Sequence, residues 1–313
     1  MPSGSFSRID LLGMGMSILD SIQVVDQFPS GPGVTRVIDS VLMGGGPVPT
    51  ALCAASKLGV SAGIIDRIGD DWRGDRIWAD YEKFGVNTGH LLREKDRTSS
   101  LGTVLVRKSD GEKHLIFQEG DFTPLAPEEL PLESLACCRI LHLNGRHWPA
   151  CVAAAQIVRE HGGLVSFDGG AHRYDAKFIE VFPLVDLLIV ARDFAERLSG
   201  TDEREAQLEG LSQWGARIVG ITDGTNGSWF LADESARFHQ PAFPVSSVID
   251  TTGCGDVFHG AFLAEAVRGE PWAACARFAA ASAAMAVTAL GGRGYLPGRE
   301  EVEEWMSGGD SKL

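Results

Sequence analysis

The sequence predicts an α/β fold, a mostly parallel sheet covered by helices on both faces with a small β flap beside it, and three observations predict it. From residue 139 onward, short apolar runs alternate with helix-patterned ones, the rhythm of parallel strands joined by crossover helices. Residues 98–118, "TSSLGTVLVRKSDGEKHLIFQ", change to two β runs around Asp110-Gly111, a two-residue hairpin signal set inside the α/β chain. The chain has 313 residues, 44% hydrophobic and 22% charged, enough for one large globular domain (1–313) carrying an elaboration.

Taken in order, "RIDLLGMGMSILDSIQVV" is an apolar run with the character of a buried strand. Polar "DQFPSGPGVTRVIDSVLMGGG" follows, then helix-patterned "PTALCAASKLG" with Gly59 placed to cap its end. "VSAGIIDRIG" reads as a strand and "DWRGDRIWADYEKFG" as a helix closed by Gly85. After the hairpin, "RILHLNG" precedes "PACVAAAQIVREHG", "GLVSFDG" precedes "KFIEVFPL", and "DLLIVA" precedes "DFAERLSG", each a strand followed by a helix. "ARIVGITDG" and "GSWFLAD" then lead into the loop at 249–256 and two C-terminal helices, with a frayed tail "SGGDSKL".

The N-terminus lacks a basic end followed by a long apolar core, and no stretch reaches the roughly 20 apolar residues of a membrane span, so a cytoplasmic protein is expected. Six scattered cysteines without CxxC spacing read as reduced thiols rather than a zinc site. A net charge of −14 disfavours nucleic acid and anionic membrane as partners, since both need clustered Lys and Arg. It leaves room for an anionic small molecule in a locally basic pocket.

The densest chemical signal is "IDTTGCGDVFHGAF", residues 249–262. "DTTGCGD" reads as a loop entering a helix that starts near Gly255 or Asp256. The amides of Gly253, Cys254, Gly255 and Asp256 would converge there, where the helix dipole favours an anion. A carboxylate at an anion site is odd unless Asp256 accepts a proton from a hydroxyl that attacks a phosphoryl group held by those amides. The competing reading makes Asp256 a plain first-turn residue behind a tight turn, and the residues alone leave the two in balance.

The stretch resembles the second signature of the ribokinase-like (PfkB) family of carbohydrate kinases, D-T-x-G-A-G-D followed by an aromatic and a small residue. Asp250, Thr251, Gly253, Gly255, Asp256, Phe258 and Gly260 match, and Cys254 stands where alanine or serine is usual. "GGGPVPTALCAASKLG", "DRIGDD" (66–71) and "FGVNT" (84–88) resemble the first signature region, with Thr50 in place of a sugar-contacting asparagine. The resemblance implies a three-layer αβα ribokinase-like fold with a β-sheet lid, about 20–45 and 98–120. It implies a kinase with Asp256 as base, and with the amides of Gly253, Cys254 and Gly255 stabilising the transferring group. Asp20, at the end of "GMSILD", together with Gly45, Gly46 and Thr50, would meet the sugar. "ITDGTNGSW" (221–229) resembles the nucleotide-binding turn, giving Thr222, Gly224 and Gly227 to ATP along with Thr252, Gly255 and Ala283 of "RFAAASAAMAVTALGGRGYLP". Magnesium and a monovalent cation such as K+ would accompany ATP. Where relatives carry Asn-x-x-Glu for magnesium, Asp193-x-x-Glu196 of "VARDFAERLSG" is the candidate pair, although alignment on Leu198-Ser199-Gly200 puts the asparagine position at Ala191. A homodimer joined through the lid is expected.

Within the family, the chain is most similar to the sulfofructose kinase and ketohexokinase branches. In the sulfofructose kinase an arginine after the strand matching "RILHLNGRHW" meets the anionic end of the sugar, and Arg146 occupies that place. A ketose such as fructose or 6-sulfofructose, phosphorylated on a primary hydroxyl, is therefore expected. The alternatives are ribokinase, 2-keto-3-deoxygluconate kinase or nucleoside kinase activity, or a silent sugar-binding regulator. A nucleoside kinase would need aromatic stacking from Phe28, Phe117 or Phe122. A dehydrogenase is disfavoured because "GMGMSI" has Ile18 where the third glycine of G-x-G-x-x-G belongs.

Overall fold

The computed structural model describes residues 9–233 and 236–308. The residues read above as lacking a leader, 1–8, and the end of the tail, 309–313, lie outside that range. Ser307 and Gly308 of the tail close the last helix.

Among the described residues one sheet has nine strands and a second has four. The large sheet runs in the order β13 (Arg237–Gln240), β12 (Ser228–Ala232), β11 (Ile218–Thr222), β10 (Leu187–Ala191), β9 (Leu164–Gly169), β8 (Ile140–Leu143), β1 (Leu11–Met14), β4 (Ala62–Gly69), β5 (Asn87–Glu94). Its pairs are parallel except β11 with β12 and β12 with β13, which are antiparallel. The strands β1, β8, β9 and β10 are almost wholly buried, as strands covered on both faces must be. One apolar layer packs α1 (Pro47–Lys57), α2 (Trp72–Phe84), α7 (Cys254–Arg268) and α8 (Trp272–Ala286) against the sheet, with Val302 of α9 (Arg299–Gly308). The other layer packs α3 (Leu132–Cys137), α4 (Ala150–Glu160), α5 (Arg192–Ser199) and α6 (Arg204–Ser212). Parallel strands place their carboxyl ends along one edge, where loops can gather ligand-binding groups.

The small sheet, β3 (Val37–Gly45), β2 (Ile18–Val25), β6 (Ser100–Arg107), β7 (Lys113–Gln118), stands beside that edge. Its own core is slight: Ile22, Val104 and Val106, with Val41, Met43 and Leu290 against them. Lys113 of β7 donates to the Thr251 carbonyl at 3.4 Å, which brings this sheet onto the loop before α7.

Several sequence-derived elements differ from the structure for identifiable reasons. The first apolar run is two strands in two sheets, because the chain turns out of β1 at Gly15–Ser17. Val48 of α1 packs so closely there that a Cβ on Gly15 would overlap it. "KFIEVFPL" is not an α-helix but two short 3-10 turns, Ala176–Glu180 and Phe182–Leu184; Pro183 removes a donor, and Phe178 and Phe182 turn inward to an aromatic cluster with Phe167 and Phe194. The hairpin closes on a wider loop than Asp110-Gly111 alone. Arg107 pairs with Glu112 through Arg107 N–H to Glu112 O at 2.8 Å, and Gly111 adopts φ +69°. The edge strands β5 and β13 and the helices α3, α6 and α9 are additional elements; β5 buries Leu91 among exposed and half-buried positions and carries little apolar signal.

A buried polar chain pins the turn out of β1. The Tyr81 hydroxyl and Ser17 Oγ are 2.7 Å apart, and Ser17 N–H donates to Asp66 Oδ2 at 2.6 Å. His147 accepts from Leu125 N–H through Nδ1 at 3.1 Å, so its Nε2 carries the proton and donates to Asp66 Oδ1 at 2.5 Å. Tyr81→Phe leaves the Ser17 hydroxyl without this partner. It is expected to cost about 1–2 kcal/mol in denaturant unfolding, with little change in the slope of the transition.

Candidate functional site

The loop before α7 is built from backbone requirements. Gly253 caps the helix in the left-handed region at φ +72°, with Gly292 packed against it so that a Cβ would stand 2.6 Å from its Cα. The helix begins at Cys254, one residue before the expected Gly255. First-turn amides have no partner four residues back, so those of Gly255 and Asp256 face the loop with the positive end of the helix dipole, while Cys254 N–H makes a long bond to the Thr251 carbonyl at 3.4 Å. Asp250, whose role the sequence did not reveal, is the brace: its carboxylate accepts from Thr252 N–H (2.8 Å), Thr252 Oγ1 (2.7 Å) and Gly291 N–H (2.9 Å). Thr252 is thus held by its side chain within the turn rather than aimed outward.

Asp256 is half-buried, and no group among the described residues hydrogen-bonds its carboxylate. Burial raises its pKa to about 6, helped by the Asp168 carboxylate and opposed by Arg173, His259 and Lys113. A carboxyl whose folded pKa lies above its ordinary 3.8 costs the folded state stability once ionised. Asp256→Asn is therefore expected to raise stability by about 1–3 kcal/mol above pH 6, the gain shrinking as pH falls through 6 towards 3.8 and absent below it. Melting curves at pH 8 and pH 3.5 check this.

Asp20 lies on β2 in a slot made by two glycines. A Cβ at Gly45 of β3 or at Gly102 of β6 would overlap its carboxylate oxygens. It too has no hydrogen-bond donor among the described residues, and burial pushes it to about 6 although Arg293 pulls it down. Gly46, at φ +95°, caps α1 where a Cβ would overlap the Met16 carbonyl. Thr50 is buried, and its hydroxyl accepts from Arg293 Nε at 3.2 Å. Arg293, from the loop after α8, also pairs with Asp80 at 2.5 Å and donates to the Gly45 carbonyl at 3.0 Å. The 291–296 loop is thereby tied to the strand and helix that frame Asp20, a connection over more than 200 residues with no local signal in the sequence.

The remaining candidates lie at or after the ends of β8, β10 and β11, except Ala283, which lies on α8. Thr222 Oγ1 donates to the Val190 carbonyl at 3.4 Å; Gly224 and Gly227 hold positive φ at +52° and +89° around a short 3-10 turn. Ala283 is half-buried on α8 against the core. Asp193, in the first turn of α5, accepts from His172 N–H at 2.6 Å, and Glu196 pairs with Arg192 at 3.2 Å. Arg146 pairs with Glu119 at 2.9 Å and lies over the Phe122 ring at 5.5 Å, so its charge meets a carboxylate at the end of β7. Beneath Asp256, His142 and His259 pack ring to ring at 5.3 Å, and His259 stands 3.3 Å from Asp168.

The model of the "pfkB family carbohydrate kinase" matches residues 10–298. A nucleoside kinase of Methanothermobacter thermautotrophicus is 25% identical over 296 residues, covering 94% of each chain. An ATP-dependent ribose-1-phosphate kinase of Halopiger xanaduensis is 30% identical over 241 residues, 77% of this chain and 79% of that one. Among solved structures, ribokinase from Thermotoga maritima superposes with a TM-score of 0.83 at 26% identity, over 96% of this chain and 99% of its own. Arabidopsis thaliana ribokinase complexed with ribose and ATP gives 0.82 at 22% identity, over 95% and 98%. With the family model spanning nearly the whole of the three-layer core, the small sheet and the α7 loop, the chain belongs to the pfkB family of carbohydrate kinases and is an ATP-dependent phosphotransferase.

Proposed function

We propose that the protein transfers the γ-phosphoryl group of ATP to a primary hydroxyl of a sugar, with a ketose as the leading acceptor. The observation that carries this is a pair of desolvated carboxylates without donors among the described residues: Asp256 at the helix start and Asp20 in its glycine slot. Each lacks the hydrogen bonds that a hydroxyl-bearing ligand would supply. Asp20 accepts sugar hydroxyls and orients the ring. Asp256 takes the proton of the attacking hydroxyl, the sugar oxygen forms its bond to the γ-phosphorus, and the bond to the β,γ-bridging oxygen breaks to release ADP. Amides of Gly253 to Asp256 stabilise the charge on the transferring group. The small sheet acts as a lid that keeps water from the γ-phosphate.

The nucleotide lies along the ends of β10 and β11, with Thr222, Gly224 and Gly227 at its phosphates and Ala283 towards its base. Hard carboxylate oxygens suit magnesium, and Asp193 and Glu196 are the acids of α5 placed to hold it through water once His172 and Arg192 give way. Magnesium there would neutralise phosphate charge as it develops. A monovalent cation such as K+ belongs with the backbone of the loop after α8, where it is braced by Asp250. The exposed apolar residues Val37, Ile38 and Leu42 of β3 and Leu115 and Ile116 of β7 support a homodimer through the lid.

A second reading, a nucleoside acceptor, is favoured by one observation. Phe117 pairs with Gly102, which pairs with Asp20, so an exposed ring shares the face of the sheet that carries Asp20. Phe28 and Phe122, by contrast, lie beneath Arg107 and Arg146. ADP release with MgATP and fructose, 6-sulfofructose, ribose, 2-keto-3-deoxygluconate, tagatose or adenosine separates the readings. Turnover with a ketose above the rest upholds the first; preference for the sulfonated ketose means that Arg146 exchanges Glu119 for the substrate. Turnover confined to adenosine replaces it with the second, and turnover confined to ribose or 2-keto-3-deoxygluconate moves the acceptor class.

A further inference from the structure

Beneath Asp256 lies a buried polar cluster that the phosphotransfer scheme leaves unused. His259 follows Asp256 by three residues on α7, so the two share one face of the helix. Its Nε2 is 3.3 Å from Asp168 Oδ1 at the end of β9, and Arg173 reaches Asp168 Oδ2 at 3.4 Å. The Arg173 guanidinium folds onto Gly170, where a Cβ would overlap it. His142, on β8, is bonded through Nδ1 to Ser166 Oγ at 3.1 Å. Among the described residues, His142 Nε2, His259 Nδ1 and Arg173 Nη1 are buried without hydrogen-bond partners. Burying charges and imidazoles at a helix–sheet contact is costly where packed apolar side chains would serve. The cluster has to be explained by something other than packing.

We propose that Asp168, held in place by His259 and Arg173, is a positioning residue for Asp256: a fixed anion that His259, one turn along α7 from the base, joins to it, and that sets the pH range in which the base accepts a proton. This rests on the reading of Asp256 as the base. Asp168 can play the part because it stays ionised. Burial alone would raise its carboxyl, but Arg173 and His259 beside it outweigh burial and hold it well below the usual carboxylate range. The groups facing Asp256 are Asp168 from β9, Arg173 from the loop after it, His259 from α7 itself and Lys113 from β7. His142 from β8 stands behind His259 and is pushed by burial to about 3, so it carries no charge at neutral pH. Asp168 is the facing anion and Arg173 and Lys113 are cations, so removing Asp168 and removing Arg173 must act on Asp256 in opposite senses.

The test compares Asp168→Asn and Arg173→Gln with the unsubstituted enzyme. Two readouts are used: the acid limb of the kcat/KM–pH profile, and the titration midpoint of the Asp256 carboxyl by 13C NMR in the ligand-free protein. Asp168→Asn should displace both downward by on the order of 1 pH unit, and Arg173→Gln should displace both upward. A merely structural role would lower activity or stability in both variants without opposite displacements. Unmoved midpoints, or displacements of the same sign, overturn the proposal. Arg173 is partly exposed, so its variant remains informative if Asp168→Asn fails to fold. If Asp256→Asn keeps turnover, the base reading fails instead, and the NMR midpoints still decide the influence of Asp168.

Discussion

Asp256→Asn is expected to lower kcat roughly 10²–10⁴-fold while leaving KM for ATP near its original value. The substitution keeps size and shape but removes the acceptor for the hydroxyl proton. The amides of residues 253–256 stay in place because Gly253 and the Asp250 brace set them, not the Asp256 side chain. Initial rates of ADP release at saturating ATP, over a range of acceptor concentrations, measure the effect. Rates within a few-fold of the unsubstituted enzyme would remove Asp256 from the chemistry. In the unsubstituted enzyme the rate should climb as pH rises through about 6, where the base loses its proton.

Much of this loop was legible in the sequence, since its requirements are backbone requirements. A left-handed cap and a close approach to Gly292 can be met by little except glycine, so the chemistry leaves its mark in residue type. The strand–helix rhythm was legible for a similar reason: buried parallel strands have to be apolar on both faces. What stayed hidden depends on contacts distant in the chain. Nothing near Asp250 shows that its partner is Gly291, and nothing near Thr50 shows that its hydroxyl faces Arg293. The polar strand β5 and the 3-10 turns of "KFIEVFPL" were missed because tertiary packing there outweighs local pattern. Arg146 follows β8, as its place after "RILHLNG" predicts, but no local pattern points to Glu119 as its partner.

Gly45→Ala should raise KM for the acceptor sugar roughly 10–100-fold, the range expected from losing charge-assisted hydrogen bonds of about 1.5–3 kcal/mol. The added methyl would occupy the space of the Asp20 carboxylate, which cannot retreat because Gly102 closes the other side of the slot. Gly102→Ala should produce the same phenotype from the opposite strand, and Asp20→Asn a comparable one without any steric change. KM for ATP should stay constant in all three, since Asp20 lies on the lid strand rather than at the ends of β10 and β11. Steady-state kinetics with each substrate varied in turn checks the split. An unchanged acceptor KM in Gly45→Ala would show that Asp20 does not hold the sugar.

The passage of one chain from β1 straight into β2 has a mechanical consequence. β1 sits between β8 and β4 in the large sheet, and Ser17, at the crossing, is clamped by Asp66 and Tyr81. The small sheet is thus a cantilever whose root is a buried inner strand of the large sheet, with Asp20 only three residues beyond the clamp. Its outer strands are tied back as well, β3 at Gly45 by Arg293 and β7 at Lys113 through the Thr251 carbonyl. Deflection grows with distance from a clamp, so the exposed turn between β2 and β3, residues 26–36, has the most freedom while the Asp20 carboxylate has little. Access and precision are assigned to opposite ends of the same beam.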